Sequence, residues 1–344
     1  MARRAYVPRL SVILAVEGAP EYAVRAVESL QNQDIHDLQI IIAYRDLAAG
    51  VEHSLTTIAD RDIHIDLIDV AGSSLGDCIA AGFDDVRAAR VIVMGGDDWF
   101  APGSLDAMLS VAAESDADVI FPQVMHDRYD IHRERHSRRS SLGDFSYDNR
   151  RELAGGMDRL IDSGLISCSR GVMARTELLA GAAPSHELSS PVVVMADVLA
   201  LAQSAAGTEG ATFHTPADAI AESFDPSMFV RACDDFKRLK GLLEGFGIDG
   251  ASSTAAACDR LFYSHLVAAI ENLCLSPHSV SSIERNARLR DMLDSEYTRS
   301  AVTSLKGSKN MGPMWKSVSA GKPFGCIVRA HVADFLNLSL NKTA

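Results

Sequence analysis

The feature that most constrains the fold is a regular alternation, over roughly the first 125 residues, of short β-branched apolar runs with stretches of helical spacing. The apolar runs occupy residues 10–16, 38–44, 63–70, 90–95 and 117–122, and the helix-like stretches occupy residues 19–33, 74–89 and 101–116. Near-continuous apolar strands alternating with helices indicate an α/β fold whose mostly parallel sheet is flanked by helices. The carboxyl ends of such strands meet at one edge, where ligands of these sheets bind.

The rest of the chain suggests three regions. A strand-then-helix pattern at 165–179 and a helical pattern at 192–206 extend the α/β region, which we expect to cover residues 1–225. Residues 226–300 are helical in pattern and predict a C-terminal helical subdomain. Residues 301–344 contain many Gly, Ser and Lys residues and predict a loop-rich tail.

Composition excludes some classes of protein. The 344 residues are 47% hydrophobic and 23% charged, the balance of an ordinary globular protein. The formal net charge of −13 argues against a nucleic-acid partner, because that role usually needs a basic face.

The cysteines and the apolar runs bear on location. Six scattered cysteines without a CxxC pair support neither a zinc ribbon nor a disulfide framework, so we expect reduced thiols in a cytoplasmic protein. The N-terminal apolar stretch is short and continues into Glu17, which favours a first strand over a signal peptide. No apolar run reaches the roughly 20 residues of a transmembrane helix. Peripheral membrane association is left open.

Two adjacent carboxylates follow the fourth apolar run, in the sequence VIVMGGDDWF. Asp97 and Asp98 repel each other unless a cation or polar ligand lies nearby. Mg²⁺ and Mn²⁺ prefer carboxylate oxygens, so the pair is a candidate site for a metal ion and a diphosphate. In the alternative interpretation the acidic turn caps the helix that begins near Pro102.

Two segments of the α/β region have a characteristic order of motifs. In residues 8–43, a first strand is followed by a helix ending in a phrase with Ser29, Leu30 and Gln33, and then by a second strand. In residues 91–121, the acidic pair is followed by a helix led by Pro102 and by another strand. This order resembles that of family 2 glycosyltransferases of the GT-A fold. The resemblance runs from about residue 8 to 122 and continues more weakly to about residue 230.

The resemblance implies an inverting enzyme that moves a sugar from a nucleotide-diphosphate donor to an acceptor hydroxyl. The family's DxD metal motif falls on Gly95 and Asp97, so the first carboxylate is absent. Asp97 is then the expected ligand of Mg²⁺ or Mn²⁺, and Asp98 supports it or contacts the donor. Trp99 is expected to pack beneath this loop, or alternatively to be an ordinary core aromatic.

The family's catalytic base is the Asp of an "ED" pair at a helix start. Here the sequence MAD fills that place, with Ala196 in the position of the Glu, which implies Asp197 as the base. One carboxylate near the acceptor hydroxyl is sufficient to take its proton. The alternative is a structural carboxylate in the first turn of a helix.

Other family motifs are altered. The usual DDGS phrase after the second strand is replaced by a segment in which Tyr44 and Asp46 are the candidate donor-binding residues, for stacking on a base and for polar contact. Of the usual ARNxG phrase only Gly82 remains. Glu17 lies near the expected nucleotide region, where it would repel a diphosphate unless it faced the base or ribose.

Residues 126–150 contain few apolar residues and predict an exposed loop or hairpin, with the basic residues concentrated in residues 126–139, the basic segment. Its arginines suit phosphate groups, so an anionic glycan, lipid-linked or polymer acceptor would fit, although a solvated surface loop is the simpler interpretation. The arginines are Arg128, Arg133, Arg135, Arg138 and Arg139. His214 is either a late-strand residue near the site or a structural histidine.

Two functions therefore remain. The first is an inverting glycosyltransferase that uses a nucleotide-sugar donor and acts in surface polysaccharide synthesis or natural-product glycosylation. The second is a catalytically degenerate GT-A domain that serves as a binding or scaffolding module for a protein partner, which the altered motifs favour.

Overall fold

A computed structural model describes residues 7–17, 22–72, 74–129, 134–182, 190–216, 224–250, 252–275 and 280–332. The chain divides into two compact units. The first comprises Met1–Arg128 and Arg135–Ala217, and the second comprises Tyr129–Glu134 and Asp218–Ala344. The expected α/β region followed by C-terminal helices is confirmed.

The first unit is built around one sheet. Its strands are β1 Leu10–Glu17, β2 Leu38–Arg45, β3 Ile65–Asp69, β4 Arg90–Gly95, β5 Trp99–Phe100, β6 Val119–Tyr129, β7 Arg135–Ser140, β8 Phe145–Tyr147, β9 Met173–Arg175 and β10 Ala205–Pro216. Its helices are α1 Ala23–Gln31, α2 Ala49–Ala59, α3 Leu75–Asp84, α4 Ser104–Ser115, α5 Arg150–Gly155, α6 Met157–Asp162, α7 Thr176–Ala182 and α8 Pro191–Leu201, with a 3-10 turn at Leu165–Ser167.

The strand order is β3-β2-β1-β4-β9-β6-β10-β5, with β7 paired to β6 and β8 paired to β10. Strands β3, β2, β1 and β4 are parallel neighbours, whereas β9 runs antiparallel between β4 and β6. Residues 10–16 of β1 are all buried, which explains the continuous apolar pattern of a strand covered on both faces. The carboxyl ends of β1, β2 and β4 therefore lie side by side at one edge.

Strand β10 has two halves because its register with β6 shifts between Thr208 and Thr212. The first half pairs with β8, and the second half pairs antiparallel with β5, so that His214 lies opposite Trp99. The shift lets one strand contribute to the centre of the sheet and also reach the segment that follows β4.

The expected helix over residues 192–206 begins at Pro191 and ends earlier, at Leu201. Proline suits a first helical position because its missing N–H has no partner there in any case. Ala202 is extended, and Ala205 and Ala206 are buried in β10. Asp197 is consequently the seventh residue of α8, so its placement in a first helical turn was wrong.

The second unit is helical. Its helices are α9 Met228–Gly245, α10 Ser253–Leu275, α11 Ser282–Asp294, α12 Glu296–Ser304 and α13 Trp315–Ser319, with a further helix over 323–332. The described part of the tail, residues 301–332, thus differs from the loop expected after residue 300, and residues 333–344 of that prediction lie outside the described residues. It folds because Trp315 meets the Tyr263 ring edge-on at 5.2 Å and because Val318 and Cys326 are buried.

No described helix combines the length and apolar character needed to cross a lipid bilayer. The six cysteines, all within the described residues, are free thiols.

A glycine fixes the turn that leads into β9. Gly171 has φ of +77°, and a Cβ there would lie 2.4 Å from the Phe213 ring of β10. Its N–H donates to the Val93 carbonyl at 2.9 Å. The turn therefore packs directly between β4 and β10, and it places Arg170 at the edge where β4 ends.

We predict that Gly171→Ala destabilises the protein much more than Gly103→Ala. Both glycines have a left-handed φ, for which alanine costs about 1 kcal/mol. Only at Gly171 does the added Cβ also meet an aromatic ring, which adds roughly 1–3 kcal/mol of overpacking, whereas no atom lies within 4 Å at Gly103. The measurement is the free energy of unfolding in urea, and equal losses in both variants would contradict the packing argument.

Candidate functional site

The acidic loop, residues 95–98, continues from β4 and is held by one face of α1. Arg25 donates from Nη2 to the Asp97 carbonyl at 3.2 Å, and the Ser29 hydroxyl accepts from the Phe100 N–H at 3.3 Å. Gln33, just beyond the helix, donates to the Ala101 carbonyl at 3.1 Å and accepts from the N–H of Leu105 at 3.2 Å. Ser29 and Gln33, two of the three residues that the resemblance placed at the end of this helix, thus fix the backbone after the loop.

Asp98 is fully buried, although it is a carboxylate. Its Oδ2 accepts from the Gly95 N–H at 2.7 Å, which closes the loop on itself. Its Oδ1 is buried and has no hydrogen-bond partner in the described part of the chain. The helix that follows, α4, begins at Ser104 with no side-chain cap. The alternative interpretation, in which the acidic turn caps this helix, is therefore wrong.

Burial, together with the charge of the neighbouring Asp97, raises the pKa of Asp98 to about 6. The Arg170 guanidinium, the Gly95 N–H and the Thr215 hydroxyl oppose this rise, because they favour the ionised form. Asp98 is therefore a carboxylate whose charge depends on a neighbouring cation.

Arg170 is that cation. Its Nη1 lies 3.3 Å from Asp98 Oδ2 and 3.4 Å from Asp97 Oδ1, and its Nη2 donates to the Thr215 hydroxyl at 3.0 Å. The side chain remains 37% exposed, and that of Asp97 remains 43% exposed. A half-exposed guanidinium therefore lies over a buried carboxylate at the carboxyl edge of the sheet.

An aromatic stack lies beside the loop. The Trp99 ring stacks on the His214 ring at 3.7 Å with an interplanar angle of 5°. The guanidinium carbons of Arg25 and Arg135 each lie 5.8 Å from the centre of the Trp99 ring. Trp99 is only partly buried, so neither the core interpretation nor the expected packing beneath the loop describes it fully.

His214 belongs to a buried pair with Asp127. Its Nδ1 lies 2.8 Å from Asp127 Oδ2, and Ser137 donates to the other oxygen of that carboxylate. Burial lowers the pKa of His214, while Asp127 opposes this effect. The pair stabilises the second half of β10 and fixes the histidine ring that Trp99 stacks on.

The end of β2 carries a second charged cluster. Arg45 lies 2.9 Å from Glu17 Oε1 and forms an ion pair with Asp46, which has a φ of +48°. Arg45 therefore neutralises part of the acidic charge that Glu17 brings to this edge. Tyr44 is buried, and its hydroxyl donates to Glu52 at 3.5 Å. Burial, followed by the charges of Asp69 and Glu52, raises the pKa of that hydroxyl.

The described contacts thus bring Asp97, Asp98 and Trp99 together. Tyr44 and Asp46 lie at the end of β2, two strands away, and the half-buried Asp197 lies on α8. The roles of these residues stay predictions.

The sequence reasoning did not single out Arg170, Arg25 or Asp127. For Arg170 the available signal was a cation immediately before a glycine at the entry to a strand. Nothing in the sequence showed that this strand would lie beside β4.

The side chains around Asp97 and Asp98, as they are arranged in the structure, do not form the expected metal site. The oxygens that would bind Mg²⁺ or Mn²⁺ at Asp97 and Asp98 already face the Arg170 guanidinium. Within the described ranges there is no group of three His, Cys, Asp or Glu side chains arranged to hold a metal ion.

The basic segment is partly a strand, as the hairpin interpretation allowed. β7 pairs with β6 and is exposed from Arg135 to Arg139. Arg135 lies 3.8 Å from Asp127, and Arg139 lies 3.8 Å from Glu209. Arg128 is exposed, and Arg133 lies outside the described residues.

We predict that Asp98→Asn becomes more stable relative to the wild type as the pH rises. Because the folded-state pKa of about 6 exceeds the ordinary value of 3.8, protonation of Asp98 favours folding. That stabilisation is fully present below about pH 4 and is lost as the pH rises through about 6. The free energy of unfolding of the variant, minus that of the wild type, should rise by roughly 2 kcal/mol between pH 4 and 7.

The matched control is Asp106→Asn, which changes an exposed carboxylate on α4. Urea unfolding at several pH values should show a much smaller change for this variant. A flat difference for Asp98→Asn would mean that Arg170 compensates the buried charge completely.

The comparisons with known proteins point to one family. Residues 11–175 match the sequence model of glycosyl transferase family 2. No curated protein sequence matches the chain.

Solved structures give the same fold. The crystal structure of S. aureus TarS 1-349 has a TM-score of 0.59 at 11% identity, covering 95% of this chain and 91% of that chain. Its complex with UDP-GlcNAc gives the same values. The longer S. aureus TarS structure has a TM-score of 0.60 at 12% identity, covering 93% of this chain and 54% of that chain. At these identities the likeness establishes the fold, which is GT-A. Together with the sequence match, it identifies residues 11–175 as a glycosyl transferase family 2 domain.

Proposed function

We propose that the protein is an inverting glycosyltransferase that moves a sugar from a nucleotide-diphosphate donor to an acceptor hydroxyl. A family 2 domain supports glycosyltransferase activity. The observation that carries the proposal is the acidic loop at the carboxyl edge of the sheet, with the unpartnered buried Oδ1 of Asp98 and the accessible Arg170 beside it. Charged groups at such an edge suit a phosphorylated ligand. The UDP-GlcNAc and UDP complexes of TarS support a nucleotide-sugar donor.

In this proposal the donor lies across the ends of β1, β2 and β4. Tyr44 and Asp46 contact the nucleoside side, and Trp99 lines the diphosphate and sugar side. Asp98, which is fully buried, supports that side through its contact with Arg170. The Arg45 and Glu17 ion pair keeps the acidic charge near β1 from facing the diphosphate alone. Family 2 members commonly use a divalent metal ion, and Asp97 is the expected ligand. Because the residues present do not fit that ion, no step of the proposal depends on it.

Asp197 is the proposed base. It would accept the proton of the acceptor hydroxyl while that oxygen attacks the anomeric carbon from the face opposite the leaving diphosphate. Attack from that side inverts the anomeric configuration. Its position on α8, an apolar and largely buried helix, would give the carboxylate a fixed place in the first unit.

The first experiment is calorimetric titration with UDP, GDP, CDP and TDP, each with and without Mn²⁺. Binding of one nucleotide at micromolar to millimolar concentration supports the donor site and identifies the sugar donors to assay. If a folded sample binds none of them, the chain is instead a degenerate module for a protein partner.

We predict that Asp197→Asn lowers the rate of sugar transfer, or of donor hydrolysis by water, by about 10²-fold or more, because the base is lost. The dissociation constant for the nucleotide should stay within about threefold, since the base acts on the acceptor. Nucleotide release from the matching sugar nucleotide measures the first quantity, and calorimetry measures the second. Asp106→Asn, on the exposed face of α4, is the control. An unchanged rate in Asp197→Asn would exclude it as the base.

The acceptor is proposed to be an anionic glycan, lipid-linked saccharide or polymer in surface polysaccharide or natural-product glycosylation. Arg138 and Arg139, both exposed on β7, support this class because forked guanidinium groups bind phosphate well. A cytoplasmic location and a peripheral membrane contact are compatible with this class.

We predict that replacing Arg138 and Arg139 by serine weakens the binding of a phosphate-bearing oligosaccharide by roughly tenfold at low salt. The affinity of this variant should also depend less on the salt concentration. Fluorescence titration at two ionic strengths would measure it. Unchanged affinity would leave β7 as an ordinary exposed strand. Replacing Arg87 and Arg61, exposed elsewhere in this unit, provides the control.

A further inference from the structure

The position where the family motif would have its first carboxylate is filled by a cation from another part of the chain. A Cβ on Gly95 would lie 2.4 Å from Nη1 of Arg170 and 2.9 Å from Asp97 Oδ1. A side chain at position 95 would therefore require the guanidinium to move from its present place. Glycine at this position leaves the space that the Arg170 guanidinium occupies.

Arg170 is fixed in this place. Its backbone belongs to the turn that Gly171 packs against Phe213, and its side chain contacts Asp97, Asp98 and the Thr215 hydroxyl. Nη1 of the guanidinium faces both carboxylates and Nη2 donates to the Thr215 hydroxyl, yet more than a third of the side chain is exposed. An anion from solvent can therefore reach a cation that is already oriented.

A donor diphosphate needs positive charge between itself and the two carboxylates of the acidic loop. A divalent ion would have to use the Asp97 and Asp98 oxygens that Nη1 of Arg170 already faces at 3.4 and 3.3 Å, and two neighbouring cations would repel each other. A guanidinium meets the same requirement with forked donors that match phosphate oxygens. The buried Asp98 carboxylate is then a partner for the arginine and is not a metal ligand.

We propose that Arg170 takes the place of the divalent metal ion and binds the donor diphosphate directly, so that donor binding is independent of metal. The inference rests on the proposed function, because it concerns the donor of that reaction.

The chemistry balances without a metal. The acceptor oxygen forms a bond to the anomeric carbon as the bond from that carbon to the diphosphate oxygen breaks, and Asp197 takes the acceptor proton. The nucleoside diphosphate leaves with the bonding electron pair, and the Arg170 guanidinium stabilises its added negative charge.

The test is titration of the full chain with the nucleotide that binds best among UDP, GDP, CDP and TDP, in EDTA and in excess Mn²⁺. We expect the dissociation constants in the two conditions to agree within about threefold, and Arg170→Ala to weaken binding at least about tenfold in both. Arg170→Lys, which keeps the charge but not the fork, should lose less. Circular dichroism and thermal unfolding confirm that each variant is folded.

Asp97→Asn separates the two schemes. If Asp97 holds a metal ion, this variant loses binding in Mn²⁺. If Arg170 is the cation, the variant's dissociation constants in EDTA and in Mn²⁺ agree with each other within about threefold, whatever absolute change follows from the loss of the Asp97 contact to Arg170.

A double variant tests for a gained property, Mn²⁺-dependent nucleotide binding, which misfolding could not produce. Gly95→Asp combined with Arg170→Ala places a carboxylate in the space that the guanidinium leaves. We expect its nucleotide binding to become at least about tenfold tighter in Mn²⁺ than in EDTA. Binding that does not respond to Mn²⁺ would contradict the exchange of roles between the two positions.

The outcomes also separate this inference from the proposed function. Wild-type binding that requires Mn²⁺, or Arg170→Ala that binds as well as the wild type, overturns the role of Arg170 and leaves the donor site intact. A folded wild type that binds none of the four nucleotides in either condition overturns both proposals.

Discussion

The contact between the buried Asp98 carboxylate and the Arg170 guanidinium organises the edge of the sheet. A fully buried carboxylate with one unpartnered oxygen is expensive to ionise unless a cation lies close. The cation comes from a residue 72 positions later, on a turn that must pack between β4 and β10 to deliver it. The acidic loop, the turn before β9 and the second half of β10 therefore stabilise one another. Removing one partner would leave the other charge uncompensated.

The same edge shows how a family framework can persist while its site changes. The strands, α1 and the acidic loop keep the arrangement that the sequence resemblance implied. The charges around the loop differ from those that the resemblance implies. Gly95 is at the position where the family motif would have a carboxylate, the Arg170 guanidinium lies beside it, and Arg45 pairs with Glu17 at the end of β2. Altered motifs are thus compatible with a working anion site as well as with a degenerate one.

The sequence predicted the part of the fold that depends on local pattern. Strand β1 is buried along residues 10–16, so its apolar run could be read directly. Helix α2, in contrast, fully buries only Leu55 and contains Thr56, Thr57 and Ile58, so its pattern was too weak to predict. Asp97 and Asp98 were found because they are adjacent in sequence. Arg170 was missed because its role depends on the insertion of β9 between β4 and β6, a pairing that no local pattern encodes.

The hydrogen bonds from α1 to the acidic loop limit how the length of this helix can change. Arg25, Ser29 and Gln33 follow one another at intervals of four residues, so they form a single row along the helix and its immediate extension. A helix advances about 1.5 Å and 100° per residue, so a one-residue insertion within this row would turn its later part away from the loop backbone. The spacing of these three residues along α1 therefore fixes the position of the loop backbone. The exposed residues of the helix can vary in sequence as long as these three contacts are kept.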